Sequence, residues 1–97
     1  MALSLTWEEK AEDQLDEILH YWLTRFGRKA AQGLYTTIDD RLKQCCNYPE
    51  AGQLHSRVDS IRYVKIRNAY YLYYTFNSQE LRVVSIYGAR RQNDPFE

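Results

Sequence analysis

No apolar run in the sequence approaches the roughly 20 residues that a membrane-spanning helix needs. Met1 to Thr6 is too short, and too poor in positive charge, for a secretory signal. A soluble protein of the cytoplasm, without a membrane partner, is therefore expected. Cysteine is confined to the adjacent pair Cys45-Cys46. Neighbouring cysteines make a strained disulfide, and two thiols without nearby His or Cys partners make no zinc site. Neither a metal nor a cofactor is expected. If the pair lies on a helix, one thiol should face the core and the other should not. Internal repeats and low-complexity segments are absent.

Net charge is absent too, with 13 Lys/Arg against 13 Asp/Glu. The balance conceals an asymmetry. Residues 1–50 hold six basic and nine acidic side chains, a net −3, and residues 51–97 hold seven against four, a net +3. The basic half is also rich in tyrosine, which points to an anionic partner, either nucleic acid or an acidic protein segment. A chain of 97 residues suits one domain, spanning 1–97, with a modest core.

Ala2-Leu3-Ser4-Leu5 alternates apolar and polar residues, as a short first strand does. Thr6-Trp7-Glu8-Glu9 matches a capping box, with the Thr6 hydroxyl on the Glu9 N–H and Glu9 reaching back. A first helix is expected from about Trp7 to Phe26. Ala11, Leu15, Ile18 and Trp22 step along one face, and Leu19 and Phe26 widen the stripe. Gly27 stops that helix. A second runs from about Arg28 to Cys46, with Ala31, Leu34, Ile38, Leu42 and Cys45 inward and Tyr35 alongside. So short a link makes an antiparallel hairpin. Pro49 and Gly52 end the helical pattern. Residues 53–60 have no period, and a lone loop histidine such as His55 is usually solvated.

Residues 61–91 contain six of the nine tyrosines. Ile61–Ile66, Tyr70–Phe76 and Leu81–Tyr87 read as three strands, with turns at Arg67-Asn68-Ala69 and Asn77-Ser78-Gln79-Glu80. Strand alternation places Tyr70, Leu72, Tyr74 and Phe76 on one face and Tyr71, Tyr73 and Thr75 on the other. The first set should pack on the helices. The second should lie open among basic residues, in a register that the turns decide. The expected fold is α+β: an N-terminal strand and an antiparallel two-helix hairpin on one face of a small, mainly antiparallel sheet.

The order strand–helix–helix–strand–strand–strand resembles the RelE/ParE superfamily of bacterial toxins from type II toxin–antitoxin systems. The likeness runs over nearly the whole chain. It is carried by Ala11, Asp13, Leu15, Ile18, Tyr21 and Gly27 in the first helix, by Ala30 or Ala31, Ile38, Pro49 and Gly52 after it, and by Arg62, Tyr70-Tyr71-Leu72-Tyr73-Tyr74 and Val83-Val84-Ser85-Ile86-Tyr87-Gly88-Ala89-Arg90-Arg91 in the meander. The resemblance implies a toxin neutralised by a cognate antitoxin whose C-terminal segment wraps it, with DNA contacted only through the antitoxin. It also implies two modes of action. RelE-like members cut mRNA in the ribosome, and ParE-like members inhibit DNA gyrase without a hydrolytic step.

Ribosome-dependent cleavage needs an acid–base pair and cations on the phosphate. Arg62, Arg67, Arg90 and Arg91 are candidates for the cations, with Lys65 in support, and Tyr87 for proton transfer. Phe96 and Tyr87 stand where the resemblance leads one to expect a tyrosine and a histidine, and phenylalanine moves no proton. The ParE-like reading, a binding inhibitor of gyrase rather than an enzyme, is favoured. The RelE-like nuclease is the alternative. For target or antitoxin binding the candidates are Tyr71, Tyr73, Tyr87, Arg90 and Arg91. Arg82 reads as an ordinary solvent-facing strand residue. The antitoxin segment should be amphipathic and acidic.

Overall fold

Strand pairing decides where each element begins. The computed structural model describes residues 2–88. It contains β1 (Ser4–Trp7), α1 (Glu9–Phe26), α2 (Arg28–Asn47), a short 3₁₀ turn (Pro49–Ala51), β2 (Gln53–Leu54), β3 (Arg62–Ile66), β4 (Tyr70–Phe76) and β5 (Glu80–Gly88). The sheet order is β1-β5-β4-β3-β2. β1 runs parallel to β5, and the other neighbours are antiparallel. The helix hairpin covers one face. This is the α+β arrangement expected.

The first strand lies two residues later than its alternation implied, and the capping box does not form. β1 pairs with β5 from Ser4↔Glu80 to Trp7↔Val83. The Glu8 N–H donates to the Val83 carbonyl at 2.9 Å. Residues through Trp7 are thus committed to the sheet. Thr6 instead donates its hydroxyl to the Leu81 carbonyl at 3.5 Å. Glu8 becomes the N-cap, with extended backbone and no side-chain cap. The long-range ladder overrides the local signal.

Gly27 alone links α1 to α2. Its φ of 92° is a left-handed conformation that a Cβ disfavours. Its N–H closes α1 on Leu23 O, while its carbonyl opens α2 by accepting from Ala31. Ala11 and Leu15 of α1 and Leu34, Ile38 and Leu42 of α2 are buried against the sheet. Ile18, Leu19 and Trp22 pack at the margin of this core. Phe26 and Tyr35 do not join the stripe. Phe26 is 58% exposed at the last position of α1, edge-on to Trp22, and Tyr35 is 50% exposed. Both cysteines are buried, where only one was expected to be. The incoming N-terminal strand supplies the second cover, as the Leu3 N–H donates to the Cys46 carbonyl at 3.0 Å.

Strand β5 solves a problem of parity. Leu81, Val83 and Ile86 are all buried in the core under the helices, although a period-two strand cannot place all three on one face. The register with β4 slips between Tyr73↔Ser85 and Tyr74↔Val83, leaving Val84 as the extra residue of a β-bulge. The bulge turns Ile86 inward and Tyr87 outward. Gln14 of α1 anchors it, its Oε1 accepting from the Ile86 N–H at 2.9 Å and the Ser85 hydroxyl at 3.1 Å.

Candidate functional site

The face of the sheet away from the helices carries a tyrosine cluster built by three strands. Tyr63 of β3, Tyr71 and Tyr73 of β4 and Tyr87 of β5 come together there. Tyr71 pairs with Tyr87 and Lys65, and Tyr73 with Tyr63. The Tyr73 and Tyr87 rings are parallel, 5.6 Å apart with 4° between their planes, and their hydroxyls lie 3.0 Å apart. Tyr63 meets Tyr71 edge-on at 5.7 Å, and the Lys65 ammonium sits over the Tyr71 ring at 5.6 Å. Such ring contacts and cation–π placement each add roughly 0.5–1.5 kcal/mol to burial. The Tyr63 hydroxyl donates to Gln53 Oε1 at 2.7 Å, tying the cluster to β2.

This face is less open than alternation alone implied. Tyr73 is 3% and Tyr87 8% exposed, while Tyr63 and Tyr71 are half-buried. The reason is the segment after β2, which folds over the end of the sheet. Val58 and Ile61 pack on the tyrosines. His55 organises the fold-over. Its N–H donates to the Ile61 carbonyl at 2.9 Å, and its Nδ1 accepts from the Arg57 and Val58 N–H groups at 3.0 and 3.1 Å. With Nδ1 accepting, Nε2 is left as the ring's donor nitrogen. His55 is buried, with its ring 6.1 Å from that of Tyr73, and is not the solvated loop histidine expected. An aperiodic segment gave no signal of this. Only the two backbone donors and the tyrosine face, met in space, show it.

The arginines divide. Arg62 lies on the helix side of β3, where its Nη1 donates to the carbonyls of Gly52 at 2.9 Å and Glu50 at 3.2 Å. It fastens the 3₁₀ turn to the sheet, with backbone carbonyls in place of an acidic partner. Arg67 occupies the turn between β3 and β4, which closes with Ala69 N–H on Ile66 O at 2.9 Å. Arg67 and Asn68 both have positive φ, as a primed hairpin turn demands. The Arg67 side chain reaches back to α2 and α1, donating to the Thr37 hydroxyl at 2.9 Å and lying 5.8 Å from the Trp22 ring. Arg82 is exposed and ion-paired to Glu80 at 2.7 Å. Tyr87 is thus on the opposite face from both Arg62 and Arg67. Arg90, Arg91 and Phe96 lie outside the described residues.

One tyrosine points the other way. Tyr74 is fully buried on the helix side. Its hydroxyl donates to the Pro49 carbonyl at 2.6 Å and accepts the Gly52 N–H at 3.0 Å. Burial, reinforced by the neighbouring Cys45 thiol, pushes its phenol up to about 12. Burial likewise raises the thiols of Cys45 and Cys46. Among the described residues no group of three His, Cys, Asp or Glu is placed to hold a metal ion.

The family description "ParE toxin of type II toxin-antitoxin system, parDE" matches residues 5–93. The chain belongs to the ParE toxin family. Its fold is shared by proteins of low identity. A chain of the chromosomal ParDE TA system from P. aeruginosa is 21% identical with a TM-score of 0.73, covering 88% of this chain and 94% of that one. The YoeB dimer from Staphylococcus aureus gives 17% and 0.60, over 88% and 94%. The protein HP0894 from Helicobacter pylori gives 16% and 0.61, over 94% and 99%. No curated protein matches in sequence. As a type II toxin the chain has a cognate antitoxin as its partner. No helix among the described residues is long and apolar enough to cross a membrane.

In this ParE-family toxin, then, the sheet offers two different surfaces. The helix side buries the core and uses Arg62, Arg67 and Tyr74 as fasteners. The far side holds rings, hydroxyls and Lys65 near the last described residue of β5, Gly88, from which the chain continues to Arg90 and Arg91.

Proposed function

We propose that the protein acts by binding, as a ParE-like inhibitor of DNA gyrase, and that it does so without catalysing a reaction. The observation that carries this is the separation of Tyr87 from Arg62 and Arg67. Phosphoryl chemistry needs the proton-transfer group and the cations to converge within hydrogen-bond reach of one phosphate. Here Tyr87 is stacked and hydroxyl-paired with Tyr73 on one face, while Arg62 and Arg67 hold backbone and Thr37 on the other. A binding inhibitor needs only a complementary surface. Tyr71, half-buried and backed by the buried Tyr73 and Tyr87, provides an aromatic platform, and Arg90 and Arg91 follow it in sequence. The same platform, with Lys65 at its margin, suits an acidic antitoxin segment, so that antitoxin and target compete for it.

Two assays on the purified toxin test this reading. Gyrase supercoiling is expected to fall with added toxin, and primer extension on translated mRNA to show intact message. Codon-positioned cuts with normal supercoiling would establish the RelE-like nuclease instead, with Tyr87 and the buried His55 as the groups to examine for proton transfer.

A further inference from the structure

One polar side chain sits where the pattern of α1 calls for an apolar one. Gln14 falls between Ala11 and Ile18 in the stripe that α1 turns to the sheet. An amide there costs desolvation that a leucine would not, unless it finds partners. It finds two, both on β5. Its Oε1 accepts from the Ile86 N–H at 2.9 Å and from the Ser85 hydroxyl at 3.1 Å. Ser85 and Ile86 are both buried, so neither donor has water to fall back on.

The place matters as much as the bonds. β1 flanks β5 only as far as Trp7↔Val83. Beyond Val83 the edge of β5 away from β4 has no strand beside it, and there the bulge begins. α1 starts at Glu9, straight after β1, and brings Gln14 to this gap as an acceptor in place of a strand. Neighbouring residues of a regular strand face opposite ways. Yet Ser85 bonds to α1 while Ile86 packs in the core beneath the helices. Gln14 thus holds the bulge itself. Without the bulge, the alternation that buries Leu81 and Val83 would carry on to Ser85 and Tyr87. Tyr87 would turn under the helices and Ile86 would face the tyrosines. The parallel rings of Tyr73 and Tyr87, 5.6 Å apart, belong to the bulged register.

We infer that Gln14 is the positioning residue of the tyrosine face. Acting from the helix side through β5, it holds the register in which Tyr87 joins Tyr71 and Tyr73. It thereby governs, across the sheet, how the toxin meets its protein partners. The inference rests on the reading of the tyrosine face as the contact surface.

Gln14→Leu keeps the helix and its apolar stripe and removes the acceptor. Gln14→Glu keeps an acceptor oxygen at the same reach. NMR of the full chain reads the Tyr73–Tyr87 ring contact, and calorimetry with the cognate antitoxin reads the face. In Gln14→Leu the ring contact is expected to disappear and antitoxin affinity to fall by about tenfold or more, with helix content unchanged. Gln14→Glu should retain both. Deleting Val84 as well gives the sharper arm. A strand one residue shorter reaches the same faces without a bulge, so Gln14→Leu with Val84 removed should recover the ring contact. A general loss of stability is not cured by removing a second residue. A Gln14→Leu chain that keeps the ring contact overturns the proposal, and so does a folded double variant that fails to recover it. Tyr71→Ala, at the half-buried member of the face, separates the two readings. Affinity lost in Tyr71→Ala but kept in a Gln14→Leu chain without the ring contact overturns the role of Gln14 alone. Affinity kept in both overturns the contact-surface reading as well.

Discussion

Gly52 donates its backbone N–H to the Tyr74 hydroxyl at 3.0 Å, and a Cβ at position 52 would meet the Tyr74 ring carbon Cε1 at 2.9 Å. The hydroxyl itself would lie closer still to that Cβ, and both atoms belong to a fully buried side chain. Gly52→Ala forces either the 3₁₀ turn or the tyrosine to move. A loss of about 1–3 kcal/mol is expected, the usual range for overpacking. Urea denaturation checks it. Gly33→Ala is the internal comparison: its new Cβ meets only the end of the flexible Arg67 side chain at 3.5 Å, and it should stabilise or leave stability unchanged.

Alkaline pH should loosen this joint. The Tyr74 phenol sits at about 12 in the folded chain against an ordinary 10.0, because burial disfavours the phenolate. The folded state thus holds its proton more tightly than the unfolded one. The associated stability is complete below pH 10 and is lost as pH rises from about 10 to 12, on the order of 2–3 kcal/mol. Cys45 and Cys46, raised from 9.0 by burial, add to the decline in the same direction. Tyr74→Phe removes the phenol and should start about 1–3 kcal/mol less stable, with the Gly52 N–H unpaired. Its shortfall against the parent chain should shrink steadily between pH 10 and 12. A constant gap across that interval would show that Tyr74 does not titrate with unfolding.

Arg62 separates structure from chemistry. Its two bonds to the carbonyls of Gly52 and Glu50 are partly exposed, so Arg62→Ala should cost only about 1 kcal/mol. Under the binding reading, growth inhibition at a temperature where the variant is fully folded should remain within about threefold of the parent, a change of under 1 kcal/mol. Loss of toxicity from a folded Arg62→Ala protein would make this arginine functional.

Arg90→Ala combined with Arg91→Ala is expected to weaken antitoxin binding and toxicity together, each by tenfold or more, about 1.4 kcal/mol. Calorimetry with the cognate antitoxin and a growth assay read the two effects. Unchanged values in both would free the C-terminal cations of any role.

Tyr87→Phe addresses the hydroxyl pair. It removes one side of the 3.0 Å contact with Tyr73 while keeping the stacked ring. Stability should fall by about 1 kcal/mol, with supercoiling inhibition retained. Abolished toxicity in a folded protein would point to proton transfer through that hydroxyl.

The helices, their glycine link and the three long strands were legible from local pattern, because 3.6- and two-residue periods are written residue by residue. So was the class of the fold, and the helix-side face of β4. What local pattern left undecided needed partners distant in the chain. Thr6 looked like a cap until β5 claimed its backbone for the sheet. Tyr87 joined the tyrosine face only because a bulge at Val84, held by Gln14, reverses the parity of β5. His55 turned from a solvated loop residue into the organiser of a buried corner once residues 55–61 folded over Tyr73. Arg62 and Arg67, alike in the sequence as cations beside a strand, proved to be fasteners on the helix side. Alternation by itself determined which residues of β4 share a face. Register, bulges and loop closure, which depend on contacts between remote residues, decided which of those faces is buried and which groups meet there.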